Sequence, residues 1–556
     1  MNPLKLVIVL FLVCFFTNFS FAQNPDNITI SQEQYQVPVL KGKTENRLLR
    51  LKINVNGTKP ATVSSFKFNL SGTTSLNDIK QLKLYNCKSD TTTNGYLNLY
   101  VAKLFGTVQT ITENIEFSGV QQLNQGANYF WLIVELNTGA DLLNEADVSC
   151  TAAVINDISL TPLPEPKNIR QKFGIALRQH NDDNVHTYRI PGLTTSKNKT
   201  LLAVYDVRRD KGADLQGNIN IGLSRSTDGG NTWQPMQIVL DMKTWGGLPE
   251  KYNGVSDACI LSDDNTGAIY VAGLWMHGVL DENGQWKNGL TDTSTVWNHQ
   301  WRNKGSQPGF DVKQTSQFLI VKSTDDGLTW SEPVNLTKMC KREAWWLWAP
   351  APGHGISLKN GTLLFPTQGR DEDGKPFSNI TYSTNSGLTW KTSSPADDGS
   401  TTECMAVELN DGKIMLNMRA NSNWKKMGDD NGRAVAVTSN LGRSWKTHPT
   451  SRSVLNEPVC MACIHKHNYT LNGVSKSILL FSNPNSKSER NHLTIKVSFD
   501  EGNTWPEKYW ILLDEWNSAG YSCITSIDEN SIGILYEGSG AQLVFQKIDL
   551  RKLLGK

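Results

Sequence analysis

The chain has 556 residues, with 55 Lys and Arg against 53 Asp and Glu, a formal net charge of +2. That length supports several domains or one large one, and the balanced charge excludes a global electrostatic case for nucleic acid or an anionic membrane surface. Hydrophobic residues at 38% and charged residues at 19%, with 44 Gly counted as apolar, exclude a disordered chain and a coiled coil.

The first expected element is a secretory signal over residues 1–22. Lys5 forms the positive end, Leu6 to Phe16 the apolar run, and Ser20-Phe21-Ala22 a small-x-small cleavage site. Val13 is too large for lipid attachment at Cys14, and no later stretch is long enough to span a bilayer. The mature chain is therefore expected outside the cytoplasm, whether periplasmic, cell-surface or secreted.

Residues 23–160 alternate apolar and polar with period two. Leu49, Leu51, Ile53 and Val55 share one face, as do Phe66, Phe68 and Leu70, and again Phe130, Leu132, Val134 and Leu136. Short alternating strands without helical periodicity predict a β-sandwich that folds on its own and possesses the form of a carbohydrate-binding module. Three prolines in Thr161-Pro-Leu-Pro-Glu-Pro166 predict a semi-rigid linker over 161–172.

From residue 173 to 556 one pattern returns. Ser226-Thr-Asp-Gly-Gly-Asn-Thr-Trp233 recurs at Ser323–Trp330 and Ser383–Trp390, and more loosely at Thr438–Trp445 and Ser498–Trp505. In each, an Asp or Asn is suited to bind nearby backbone N–H groups, and a Gly to supply the positive φ of a hairpin turn. These Asp-boxes recur every 55–60 residues or so, about right for a four-stranded propeller blade. The first interval is longer, which places an insertion near 278–316. The remaining length holds about six blades. The fold class is thus all-β, a six-bladed β-propeller preceded by a β-sandwich.

Eight cysteines follow the signal, too few for a disulfide scaffold in a chain this long. Cys460-Met-Ala-Cys463 has zinc-ligand spacing, but no second such pair or His pair matches it, so strand-core thiols are expected and no metal. Asp263-Asp-Asn-Thr-Gly267 lacks the spaced ligands and closing Glu of a calcium loop. No dinucleotide or Walker pattern appears.

Tyr188-Arg-Ile-Pro191 resembles the FRIP motif of sialidases, with Tyr in place of Phe. With the Asp-boxes, it makes the chain from Ile175 to Lys552 resemble the bacterial exo-α-sialidases (neuraminidases) of glycoside hydrolase family 33. The first region resembles the domain that precedes the propeller in some of them.

That resemblance implies a site. Sialic acid carries a carboxylate on its anomeric carbon, which calls for cations with fork geometry, hence Arg rather than Lys. The family's arginine triad maps to Arg189, Arg419 and Arg490, and Glu537 to the acid that holds Arg189. Arg208 corresponds to a further arginine near the carboxylate, with Arg209 as the alternative. A carboxylate nucleophile would be repelled by the substrate's own carboxylate, whereas a phenol is not but needs a base. Tyr521 corresponds to that nucleophile and Glu403 to its base. Asp214 corresponds to the general acid, with Asp210 in the same loop as the alternative. Asp257 corresponds to a sugar-contacting acid at the O4 or N-acetyl side, and Gln368 is a further candidate. The implied activity is release of terminal α-linked sialic acid from sialylated glycans, with retention through a sialyl-tyrosine intermediate, by a monomer without metal or cofactor. The alternatives are a transglycosylating sialidase, which keeps every one of these residues, and an inactive sialic-acid lectin, which has no need of Tyr521, Glu403 and Asp214. An Asp-box glucanase would have no use for the arginines.

Overall fold

In the computed structural model, residues 27–87, 102–164, 169–215, 217–247, 250–277, 306–312, 314–396 and 399–556 are described. The residues expected as a signal lie outside these, as do 165–168 of the expected linker and most of the expected insertion. The described residues are all-β: their two α-helices, Thr337–Cys340 and Arg551–Leu554, are single turns. None is long and apolar enough to cross a membrane.

The alternating runs of the first region form two facing sheets. One orders Ile28–Glu33, Asn46–Val55, Gly126–Leu136, Ile79–Cys87 and Lys103–Val108; the other orders Ile158–Leu160, Ser149–Ile155, Ala61–Asn69 and Asn114–Leu123. Leu51 lies opposite Phe130 and Leu49 opposite Leu132 across one ladder, so their common face is apolar. Phe66 meets Phe130 at 4.9 Å and Phe105 at 5.3 Å between ring centroids. These residues form one core with Ile53, Val55, Phe68, Leu70, Val134 and Leu136. Burying each such side chain contributes about 1.5–3 kcal/mol.

Beyond the linker the described residues form six antiparallel four-stranded meanders. Their first strands are Thr187–Thr195, Asn253–Ser262, Leu347–Pro350 (continued by Gly353–His354), Thr401–Glu408, Cys463–Leu471 and Ser522–Ser526. These meanders touch in sequence order, and Ser522–Ser526 of the last touches Thr187–Thr195 of the first. The fourth strand of the last unit is supplied from the start of the region: Gln171–Arg178 pairs with Leu543–Asp549.

In five units the turn after the third strand is an Asp-box. In the second, Asp325 Oδ1 accepts Ser323 Oγ–H (2.7 Å) and Thr329 N–H (2.9 Å), and Oδ2 accepts Thr329 Oγ1–H. Gly327 takes φ +79°, which only Gly adopts at little cost. The carboxylate thus replaces the backbone partners the turn lacks.

The two regions pair with each other at their junction. Val39–Lys41 pairs in parallel with Phe173–Ile175, and Glu145–Ala146 pairs with Gln171 and Lys172. The strand Gln171–Arg178 thus begins within the last residues of the 161–172 segment. Leu40 and Leu142 are buried in the core of the second region, and Phe173 in that of the first. Trp516 also packs against Tyr35 (5.3 Å) and Trp131 (6.3 Å), under the Arg47 guanidinium (4.9 Å).

Candidate functional site

Three of the first strands carry the same irregularity. Their ladders slip between Arg189 and Gly192, between Ser256 and Cys259, and between Thr401 and Cys404. Ile190 and Asp257 sit at φ +61° and +59°, a costly conformation for a side chain branched at Cβ and an uncommon one for Asp. A bulge turns a side chain out of the ladder's alternation. Arg189, Asp257 and Glu403 all stand at these slips.

Tyr521 is the hub of what they build. Its hydroxyl donates to Glu403 Oε1, and Arg419 Nη1 reaches both that hydroxyl (3.1 Å) and Glu403 Oε2 (2.6 Å). The Arg189 and Arg490 guanidinium carbons lie 5.5 and 5.6 Å from its ring centroid. Gly520 precedes it at φ +87°, where an added Cβ would meet Pro484 at 2.9 Å and the Cys460 sulfur at 3.2 Å. Burial and the Glu403 charge push the Tyr521 phenol well above its ordinary pKa, against the pull of Arg419 and Arg490. Tyr521 is thus a neutral phenol already bonded to a base, which is what a phenolic nucleophile requires.

Glu537 fixes one side of this hub. It accepts from Arg189 Nε (2.5 Å) and Nη2 (3.3 Å), and from the N–H groups of Ile190 and Tyr521 (both 3.0 Å). Burial would raise its pKa, but Arg189 and the two N–H donors hold it below the usual value. Arg490 donates to the Ala519 carbonyl (2.9 Å) and the Val459 carbonyl (3.3 Å) and pairs with no carboxylate among the described residues.

The opposite side is acidic. Arg208, 1% exposed, donates from Nη2 to Asp206 (2.9 Å) and from Nη1 to Asp214 (2.6 Å). Asp214 also lies 3.9 Å from Arg189 and keeps its side chain 69% exposed. Desolvation pushes its pKa up, but Arg208 and Arg189 bring it below the ordinary carboxylate value. Asp210 is exposed and forms no ion pair among the described residues, while Arg209 turns away to Asn220 (2.9 Å). Asp257 is buried, with Ser256 Oγ at 3.4 Å and Gln368 Nε2 at 3.5 Å. Burial, then Glu403, Asp206 and Asp214, raise its pKa well above the usual value. All nine candidates thus share one network, and Gln368 touches it through Asp257.

Some members carried no motif. Asp206 accepts from Ser256 Oγ and Arg208, and burial raises it to about 6 despite them. Two charges in the apolar run Leu201–Arg208 were a usable signal. The fully buried pair Arg433–Glu457 (2.5 Å) was not, since its partners are distant in sequence. Glu457 accepts Ala420 N–H (2.7 Å) and Arg433 donates to the Cys460 carbonyl (2.7 Å), which ties the Arg419 strand to the segment behind Tyr521. The described side chains grouped closely enough to share a metal ion, His354, Cys463 and Cys523, lie outside this network.

The profile described as "BNR repeat-like domain" matches residues 199–534, and that described as "N-terminal domain of BNR-repeat neuraminidase" matches residues 27–159. A sialidase of Bacteroides fragilis (strain YCH46) is 34% identical over 99% of this chain and 99% of its own length. The chain belongs to the sialidase family. A solved structure, the Hadza microbial sialidase Hz136, is 35% identical, with a TM-score of 0.83 over 94% of this chain and 99% of that one. A sialidase of Micromonospora viridifaciens shares 31% identity over 70% of this chain and 55% of the relative. The chain is accordingly a glycoside hydrolase that acts on sialic acid conjugates.

Proposed function

We propose that the chain is a retaining exo-α-sialidase working through a sialyl-Tyr521 intermediate, on a six-bladed β-propeller (173–556) that follows a β-sandwich (23–160) in a protein exported after loss of residues 1–22. The observation that carries this reading is the Tyr521 hydroxyl, bonded to Glu403 and Arg419 with two further guanidinium groups about its ring. Arg189, Arg419 and Arg490 receive the sialic acid carboxylate, and Glu537 keeps Arg189 aimed.

Glu403 takes the phenolic proton as the Tyr521 oxygen attacks the anomeric carbon and the C–O bond to the aglycone breaks. Asp214 gives its proton to that leaving oxygen. Asp214 then deprotonates a water that displaces Tyr521, and Glu403 returns the proton to the phenolate. Two displacements at one carbon give net retention. In the free enzyme Asp214 is ionised by its arginines. A bound carboxylate neutralises those cations and adds negative charge, which raises the Asp214 pKa when a proton donor is needed.

The test is hydrolysis of sialyllactose followed by NMR from the first turnovers. The α-anomer of the free sugar should appear first and mutarotate. A fluorinated sialoside should label the peptide containing Tyr521. First appearance of the β-anomer, or a label elsewhere, would overturn the reading.

A further inference from the structure

His354, Cys463 and Cys523 bring one imidazole nitrogen and two sulfurs within 4.8 Å of one another, all fully buried. They come from the first strands of three different units, Gly353–His354, Cys463–Leu471 and Ser522–Ser526. Their second contacts are those of metal ligands. His354 Nδ1 lies 3.0 Å from the Gly355 carbonyl, which can only accept, so Nδ1 carries the proton and the Nε2 lone pair faces Cys463 Sγ at 3.9 Å. A backbone carbonyl holding the far nitrogen is the usual orienting contact of a metal-bound His. Each sulfur accepts a backbone N–H at 3.2 Å, Cys463 from Ile524 and Cys523 from Leu193, contacts that favour thiolates. Cys523 Sγ also lies 3.6 Å from the Leu193 carbonyl, where a thiol proton would point.

We propose that these three side chains bind a zinc ion. Two sulfurs and an imidazole select a soft or borderline cation. The charge decides for a divalent one. Binding releases the two thiol protons to solvent, and Zn²⁺ with two thiolates and a neutral imidazole is uncharged. A neutral site suits a fully buried location with no counter-ion among the described residues, whereas Cu⁺ would leave a buried negative charge. A tetrahedral zinc held by these three side chains, with a water as the fourth donor and bonds of about 2.3 Å to sulfur and 2.0 Å to nitrogen, places the three side-chain ligands ~3.5–3.8 Å apart, a contraction that side-chain rotation can supply. The ion clamps three units from the inside. Cys460, which shares the zinc-like spacing with Cys463, takes no part: its sulfur faces the Ala519 carbonyl at 3.9 Å. The chelate joins residues far apart in sequence, so spacing alone does not reveal it.

The test uses the full chain, purified under reducing conditions from zinc-supplemented cells, dialysed, and analysed for metal by mass spectrometry. One equivalent of zinc should remain in the native protein and in Cys340→Ala, a buried thiol elsewhere, and be lost from Cys463→Ser and Cys523→Ser. Because those two variants can fail to fold, chelated native protein is titrated with Co²⁺. Saturation at one equivalent should give a thiolate-to-cobalt charge-transfer band and the intense visible bands of a tetrahedral site. The proposal fails if the native protein holds no zinc and gives no cobalt band, if folded Cys463→Ser and Cys523→Ser both keep the metal, or if Cys463 and Cys523 are found joined as a disulfide.

Discussion

The two regions use the same element in opposite ways. In the first, strands such as Asn114–Leu123 bury alternate residues, and ion pairs such as Lys67–Glu116 (3.9 Å) sit in solvent. In the second, Leu201–Arg208, Ile219–Ser226 and Asn253–Ser262 are buried at every position, yet they carry Asp206, Arg208 and Asp257. Removing a charge from water costs several kcal/mol unless partners are in place. Buried charges that converge from several strands, as Asp206, Arg208 and Asp257 do, therefore mark function, whereas buried Arg225 of Ile219–Ser226 joins Asp326 of an Asp-box. Solvated charges in the first region carry no such message.

The comparison is tested hardest by the chemistry. Glu403→Gln should lower kcat on sialyllactose by about 10²–10⁴-fold, and Tyr521→Phe at least as much. Exchanging Lys67 and Glu116 should leave steady-state kinetics unchanged. If Glu403→Gln retains most of its kcat, the buried acid is structural and the distinction between regions collapses.

Asp214→Ala should lower sialyllactose hydrolysis by roughly 10²–10⁴-fold. Release of an aryl alcohol, which leaves with little protonation, should suffer much less, and a sialyl-enzyme should accumulate. Asp210→Ala should change neither. The ratio of aryl-sialoside to sialyllactose activity measures this for each variant, and a large shift with Asp210→Ala would move the acid to that residue.

Why the sequence revealed some of this and not the rest follows from how far each feature reaches. Asp-boxes and alternating strands are local, so turns and faces were legible from Ser226–Trp233 or Leu49–Val55. Site residues were legible where a motif marked them, as Tyr188–Pro191 marks Arg189. What stayed hidden depends on contacts between distant segments. Arg433 with Glu457 and Leu40 in the second region's core are of this kind. The bulges at Arg189, Asp257 and Glu403 leave no trace in composition, since each is set by how its strand pairs with the next.

Stability should divide in the same way. Glu537→Ala strands Arg189 and two N–H groups and should cost about 3–5 kcal/mol in denaturant unfolding. Glu116→Ala, breaking an exposed pair, should cost less than about 1 kcal/mol. Between these lies removal of the first region. A chain beginning at Lys167 loses the edge strand Val39–Lys41 and the buried Leu40, so its melting temperature should fall by at least about 3 °C. Its kcat on sialyllactose, measured well below that temperature, should stay at the full-length value. An unchanged melting temperature would mean that the junction contributes nothing.

The smallest effect concerns pH. Asp214 must be protonated to act as an acid, yet in the free enzyme Arg208 at 2.6 Å and Arg189 at 3.9 Å hold its pKa below the ordinary value. The pH profile of kcat/KM reports the free enzyme, and that of kcat the complex. When the substrate carboxylate pairs with the arginines, their pull on Asp214 weakens and a negative charge is added nearby. Both changes raise its pKa, so the acid stays protonated to higher pH. The alkaline limb of kcat should therefore lie above that of kcat/KM, by about one pH unit. With an aryl sialoside, whose leaving group needs no proton, the gap between the limbs should shrink. Arg208→Gln removes the nearest of the restraining cations and should move the kcat/KM limb upward toward the kcat limb. Coincident limbs in the native enzyme on sialyllactose would mean that the substrate does not relieve Asp214, and the acid would have to be sought in a carboxyl already raised by burial, such as Asp257 or Asp206.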